Sequence, residues 1–298
     1  MQALVADRSA PSGVSLREAP DAQAGPSETL VEVKAVSLNR GEVRRLSART
    51  EGTIPGWDVA GITADSTRVV GLADQGAWAE LAVVPTDRLA ELPDGVSFEA
   101  ASTLPVAGLT ALRALEVGGP LLGRRVLITG AAGGVGRFAI QLAKRAGAHV
   151  TGVVRNPERG AGLRELGADE LITELEPDGE PFDLLLESVG GASLAAALTR
   201  VAPDGTVVAF GASSPEPTTF DVSRFYNRGA PRLYGLRVFD ELARHRSAQR
   251  DLTLLVTELA AGRLDPQIDL TTSWRDADTA LAALMERRVA GKAVLTID

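Results

Sequence analysis

No cysteine occurs in the 298 residues. That excludes disulfides, iron–sulfur clusters, thiolate zinc sites and a thiol nucleophile. Histidine is scarce as well: His149 and His245 are the only two, too few for a multi-His metal centre. Basic residues number 31 against 39 acidic ones, a formal charge of −8. With no basic excess to neutralise phosphates, nucleic-acid binding is not expected. No stretch of ~20 apolar residues is available to span a bilayer. The opening MQALVADRSAPSGVSL lacks the basic and apolar regions of a secretion signal, so a cytoplasmic location is expected. What remains is 45% hydrophobic and 23% charged, ordinary for a soluble chain of about two domains at ~100–200 residues each. Its chemistry must come from an organic cofactor or from carboxylates and hydroxyls.

The first hundred residues read as short strands separated by turns. Residues 27–38, 67–72 and 77–84 alternate apolar and polar side chains, the pattern of half-buried strands. From Phe98 the segment FEAASTLPVAGLTALRALEV predicts two helical pieces, parted near Pro105 and Gly108. From Arg124 the texture changes. RRVLITG is an apolar strand run, and RFAIQLAKRAG predicts an amphipathic helix ending at Gly147. HVTGVV, ADELIT, PFDLLLE and GTVVAF continue as strands, with helices predicted at PERGAGLRELG and across the Ala/Leu stretch after Gly191. RLYGLRVF is a candidate sixth strand, followed by a helix that includes residues 251–261. Such alternation implies βαβ units and a parallel, doubly wound α/β sheet. The tail predicts a strand (IDLTTSW), a helix around 276–288 and a closing strand (KAVLTI).

The segment TGAAGGVG places Gly130, Gly133 and Gly136 three apart between a strand and a helix. Without Cβ atoms, such a turn lets a pyrophosphate approach the helix N-terminus, whose free N–H groups favour anions. The strand before, the helix after and the second strand supply the context that a lone glycine pattern lacks. Gly130, Ala132, Gly133, Gly134, Val135 and Gly136 are therefore the first cofactor-binding candidates. The second strand ends VVRNPERG. Arg155 stands where an NAD site carries the acid for the ribose hydroxyls, and Arg159 follows. Arginine near that position accommodates a 2′-phosphate, which points to NADP(H).

The chain resembles the zinc-independent quinone oxidoreductase branch of the medium-chain dehydrogenase/reductase superfamily. The segments that carry the likeness are SLNRGEVRRL, IPGWDVAGI, GAWAELAVVP, LPVAGLTALRAL, the glycine turn, ESVGG and VAFGA, in family order. The resemblance implies a GroES-like, β-rich catalytic domain (1–118, completed by 264–298) and an inserted Rossmann domain (119–263), with the active site in the cleft. It also implies NADPH-dependent reduction of a quinone or an α,β-unsaturated carbonyl, in a homodimer. No catalytic zinc is available to a chain without cysteine and without histidine before residue 149.

Asn39 matches a family position near nicotinamide and substrate. Its amide either hydrogen-bonds a carbonyl oxygen or caps a turn. The likeness puts the Thr110 hydroxyl near the nicotinamide, and Asn39 and Thr110 are the catalytic candidates. Ser188, Gly190, Gly211 and Ser213, at the carboxyl ends of two strands, complete the cofactor-binding set. Asp58 is read as a hydrogen-bond acceptor, and Trp57 and Trp78 as packing residues. Two departures stand out. Residues 42–45 are Glu, Val, Arg and Arg where many relatives carry an aromatic proton-donor candidate, and the segment between Gly61 and Gly76 is shorter than usual. An enoyl-thioester or polyketide-type reductase, for which Arg44, Arg45 and Arg49 hint at a basic rim, and a non-redox NADPH-binding protein therefore remain alternatives.

Overall fold

The structure is a computed structural model that describes residues 1–246 and 248–298. In chain order the N-terminal part contains β1 (Gln2–Ala6), β2 (Val14–Glu18), β3 (Glu28–Leu38), α1 (Arg40–Val43), β4 (Asp58–Thr63), β5 (Arg68–Leu72), β6 (Leu81–Pro85), β7 (Leu89–Glu91) and α2 (Phe98–Ser102). A π-type turn, Leu104–Gly108, leads into α3 (Leu109–Val117). The parallel sheet follows: β8 (Arg125–Thr129), α4 (Gly134–Arg145), β9 (His149–Val153), β10 (Glu170–Ile172), β11 (Phe182–Glu187), α5 (Gly191–Arg200), β12 (Val201–Ala209), α6 (Val222–Tyr226), β13 (Arg232–Gly235) and α7 (Val238–His245). The tail adds α8 (Ala248–Ala260), β14 (Ile268–Ser273), α9 (Ala277–Met285) and β15 (Lys292–Thr296).

Two compact units result, residues 1–109 with 245–298, and residues 110–244. These limits differ from those expected from sequence. Helix α8 joins the first unit, where Leu255 packs against Gly108.

In the first unit the sheet order is β14-β15-β3-β4-β5-β7, with β6 also paired to β3. The alternation of β3 is real over Val31–Ala35, and Ala35–Leu38 are then buried on both sides. Here the antiparallel partner is β15, from the far end of the chain. The core gathers Val31, Val33, Trp78, Trp274, Leu281 and Leu295. Trp78 is fully enclosed and Trp57 nearly so, as packing residues should be.

The second unit is a six-stranded sheet, β10-β9-β8-β11-β12-β13, whose pairings are all parallel. The candidate sixth strand is present as β13, but Val238 already opens α7. One expectation fails. PERGAGLRELG forms only a 3₁₀ turn at Pro157–Gly160, then irregular turns up to Gly167. Three glycines in eight residues, each costing ~1 kcal/mol in a helix interior, outweigh the apolar spacing there. The two helical pieces after Phe98 do form, joined by the π-type turn. Among the described residues no helix is long and apolar enough to cross a membrane.

Candidate active site

Strand β8 is flanked by β9 on one side and β11 on the other, so the strand order reverses at its carboxyl end. Ligands of doubly wound sheets bind at such a switch point. Gly130 follows β8 with φ +60, and a Cβ there would stand 2.6 Å from the Ser188 Oγ. At Gly136 a Cβ would lie 2.6–2.7 Å from the backbone of Gly130 and Ala131. At Gly136 the neighbours are backbone and only glycine fits, which holds the start of α4 against the turn; at Gly130 the left-handed φ favours glycine. Gly133 is the N-cap residue and has no side chain to cap with. The Arg137 N–H is the first to reach a helix carbonyl, that of Gly133 at 2.9 Å. The amides of Gly134, Val135 and Gly136 are left to an anion. The cradle, with its missing Cβ atoms and open amides, fits a dinucleotide pyrophosphate.

Beside it, the loop after β11 is organised by Glu187, which sequence reasoning missed. Its fully buried carboxylate accepts from the Val189 N–H (3.0 Å), the Gly190 N–H (2.9 Å), Ser193 Oγ (2.9 Å) and Thr129 Oγ1 (3.2 Å). An acid ending an otherwise apolar strand, LLLE before SVGG, was the available signal. Ser188 donates through Oγ to the Thr129 carbonyl (3.2 Å). Ser213 N–H donates to the Ser188 carbonyl (3.2 Å), and a Cβ on Gly211 would come within 2.9 Å of that carbonyl oxygen. The structure therefore gathers Gly130, Ser188, Gly190, Gly211 and Ser213 along the ends of β8, β11 and β12.

Arg155 is exposed just past β9 and makes no hydrogen bond or ion pair among the described residues. Arg159 lies in the 3₁₀ turn capped by Asn156, whose Oδ1 accepts from the Arg159 N–H (3.1 Å). A second missed residue braces this segment. Arg137, nearly buried, donates to the Ala132 carbonyl in the glycine turn (3.3 Å) and to the Ala161 carbonyl (3.2 Å).

The first unit carries a different kind of site. Asn39 is the N-cap residue of α1, and its backbone N–H donates to Glu42 Oε2 (2.9 Å). The turn-capping reading is thus present. Its Nδ2 donates to Asp58 Oδ2 (2.8 Å) and to Glu42 Oε2 (3.2 Å), and its Oδ1 accepts from Lys292 Nζ (2.8 Å). Asp58 is the acceptor expected. It also receives Ser37 Oγ (2.5 Å) and the Val106 N–H (2.9 Å), a backbone donor released by the π-type turn that Pro105 interrupts. Lys292 Nζ further donates to the Leu38 carbonyl (3.2 Å) and lies 3.5 Å from Asp58 Oδ2. Glu42 and Lys292 were not anticipated: they are remote from Asp58 in sequence, and β15 brings Lys292 there.

Thr110 opens the second unit as part of α3. It is buried, and its hydroxyl has no protein partner among the described residues. Tyr234 donates to the buried Glu241, and Tyr226 is exposed on α6. His149 lies beside Asp169 and Glu170 on the surface.

Residues 134–255 match the family described as zinc-binding dehydrogenase. The chain is 29% identical over 316 residues to a quinone oxidoreductase of Pseudomonas aeruginosa, covering 96% of each. A solved quinone oxidoreductase of Thermus thermophilus, determined also in complex with NADPH, superposes with a TM-score of 0.87 at 30% identity, covering 99% of this chain and 100% of that one. The chain belongs to the zinc-independent quinone oxidoreductase branch of the medium-chain dehydrogenase/reductase superfamily. As a quinone oxidoreductase homologue it is an oxidoreductase with a GroES-like and a Rossmann domain. The family likeness also reaches multidomain enzymes. Erythronolide synthase EryA2 of Saccharopolyspora erythraea is 32% identical across 99% of this chain, which spans only 9% of that protein.

Proposed function

We propose that this oxidoreductase uses NADPH, without zinc, to reduce a small quinone or α,β-unsaturated carbonyl compound. The observation that carries the proposal is the glycine cradle at the end of β8 together with Arg155 and Arg159 after β9, where an acid would have served the ribose of NAD. The NADPH complex of the Thermus thermophilus relative supports the same cofactor. When bound, NADPH supplies the hydride. The backbone amides of Gly134, Val135 and Gly136 would hold the pyrophosphate. Ser188, Gly190, Gly211 and Ser213 would line the same end of the sheet, and Arg155 and Arg159 would hold the 2′-phosphate. Thr110, with an unengaged hydroxyl, is the catalytic candidate that donates to developing negative charge on an acceptor oxygen. Asn39, on the GroES-like unit, is the second candidate, as a residue that hydrogen-bonds the bound ligand. The absence of cysteine removes the usual thiolate ligand of catalytic zinc.

The test is NADPH consumption, followed by absorbance, with ortho-quinones, para-quinones, enones and a crotonyl thioester. Turnover of a quinone or enone with NADPH preferred over NADH is expected. Turnover of the thioester alone would favour the enoyl-thioester reading, which the similarity to EryA2 supports. NADPH binding with no oxidation by any acceptor would leave the non-redox reading.

A homodimer belongs to the same proposal. Among the described residues strand β13 ends the sheet with one edge unpaired, and the exposed Leu233, Val222 and Tyr226 lie on it and on nearby α6. Light scattering should give twice the chain mass; a monomer at micromolar concentration would refute it.

A further inference from the structure

Three ionisable groups stand behind Asn39 without solvent: Glu42 and Asp58 are 0% exposed and Lys292 is 2% exposed. Two carboxylates share one cation. Asp58 is well supplied with donors, from Ser37, Asn39 and Val106, with the ammonium of Lys292 close by. Glu42 is not. Its Oε2 receives the Asn39 N–H and Nδ2, while Oε1 is buried with no partner among the described residues. An anionic cluster with an unpartnered oxygen is costly away from water. A neutral Glu42 leaves one positive and one negative charge, with its proton on the oxygen that accepts nothing. Burial, reinforced by Asp58, pushes the Glu42 pKa up to about 8 against the opposing pull of Asn39 and Lys292. Helix α9, which also packs on α1, buries only Ala277, Ala280, Leu281, Ala283 and Leu284. Arg44, on the far side of α1, points to solvent.

The same contacts fix the Asn39 amide. Turned over, its NH2 group would face the Lys292 ammonium and its oxygen would face both carboxyls, unfavourable on both sides. As it stands, both amide hydrogens are committed to Asp58 and Glu42. One lone pair of Oδ1 is taken by Lys292. Among the described residues no hydrogen bond reaches the second lone pair of that oxygen, the open valence on the half-exposed member of the cluster.

We propose that Glu42, held as a buried carboxylic acid beside the Asp58–Lys292 pair, is a positioning residue that sets the Asn39 amide to accept a hydrogen bond from its ligand rather than to donate one. The group Asn39 recognises then carries an N–H or O–H, and polarisation of an acceptor carbonyl falls to another donor. The functional part of this proposal rests on the reductase reading. Ionisation of Glu42 adds a second negative charge beside Asp58 with no second cation to answer it, loosens the amide and lowers turnover. Wild-type kcat/KM with NADPH and a para-quinone should therefore fall by about tenfold per pH unit above a pKa near 8. Glu42→Gln should lose that alkaline limb, and Glu42→Ala should depress kcat more than KM without recovering it at any pH. Persistence of the limb in Glu42→Gln would overturn the proposal.

A second arm needs no turnover. The Asn39 side-chain NH2 resonances, identified by their absence from the Asn39→Ala spectrum, should exchange slowly with solvent. They should shift with the same midpoint in the wild type and stay flat in Glu42→Gln. Fast-exchanging or pH-insensitive Asn39 resonances in the wild type would overturn the geometry itself. For the source of the donor, the reduced 3-acetylpyridine analogue of NADPH keeps the carbonyl and lacks the amide N–H. Roughly tenfold weaker binding to the wild type, and no such penalty in Asn39→Leu, would place the donor on the cofactor. Equal wild-type affinities for the two nucleotides, together with selective loss of hydroxyl-bearing product inhibition in Asn39→Leu, would place it on the substrate. Failure of both signatures would overturn the acceptor role. If no acceptor is reduced at all, the reductase reading fails while the resonance arm still decides the geometry.

Discussion

The nucleotide unit and the GroES-like unit build their sites from opposite materials. At the end of β8 the work is done by backbone: open amides, a left-handed glycine and a helix that approaches because Gly136 has no side chain. Around Asn39 it is done by side chains, two carboxyls and an ammonium withdrawn from water and joined by amide and hydroxyl hydrogen bonds. A backbone site depends on consecutive residues. A buried ionic site depends on topology, and its members come from α1, β4 and β15. The first tolerates changes of charge but not of volume, and the second the reverse.

That contrast can be broken first at Lys292. Lys292→Met preserves volume but removes the cation beside Asp58 and the donor to two carbonyl oxygens, and should cost about 3–5 kcal/mol. A drop in melting temperature of about 6–20 °C, from ~2–4 °C per kcal/mol, is expected; an unchanged melting curve would show that the cluster contributes no stability. Gly136→Ala adds only a methyl group, yet it meets backbone atoms at 2.6–2.7 Å. Overpacking of about 1–3 kcal/mol should appear mainly as lost nucleotide affinity, roughly ten- to hundredfold by calorimetry. Glu187→Gln replaces an acceptor of four hydrogen bonds with a group that also donates, and should destabilise the second unit by about 1–3 kcal/mol in urea unfolding. Arg155→Ala should be the mildest, about tenfold weaker for NADPH with NADH unchanged, worth ~1.4 kcal/mol. Equal losses for both nucleotides would refute the phosphate assignment.

The pH dependence sharpens the same comparison. Between the ordinary carboxyl value of 4.5 and about 8, folded Glu42 keeps a proton that the unfolded chain has released. Its contribution to stability is complete below that window and is lost as pH rises through about 8. Denaturation midpoints followed from pH 5 to 9 should decline in the wild type and do so less in Glu42→Gln.

What could be read from sequence follows from the same division. The strands of the parallel sheet, the glycine turn and the position of Arg155 are local patterns, and the sheet and turn formed where periodicity and spacing put them. The segment after Pro157 departs from its helical pattern because its glycines outweigh the apolar spacing. Asp58 was legible as an acceptor but its partners were not, since nothing near GWDVAG in sequence mentions Lys292. Glu187 and Arg137 were hidden for a further reason. Each sits inside an element whose apolar pattern already explained it, and what they brace is the loop next door.

Strand β15 lies between β14 and β3 in the first sheet, and 254 positions separate Lys292 from Leu38. During synthesis at about 5–20 residues per second, β3 waits roughly ten seconds or more for the strand that closes its edge and for the cation that answers Asp58. The nucleotide unit is contiguous and emerges in between, so it can fold before the unit that surrounds it in sequence. A ribosome-stalled or prematurely ended chain would thus present a finished dinucleotide cradle beside an open, half-charged sheet. Such a chain could sequester cofactor without reducing anything, and its unpaired β3 edge would mark it for chaperones or proteolysis.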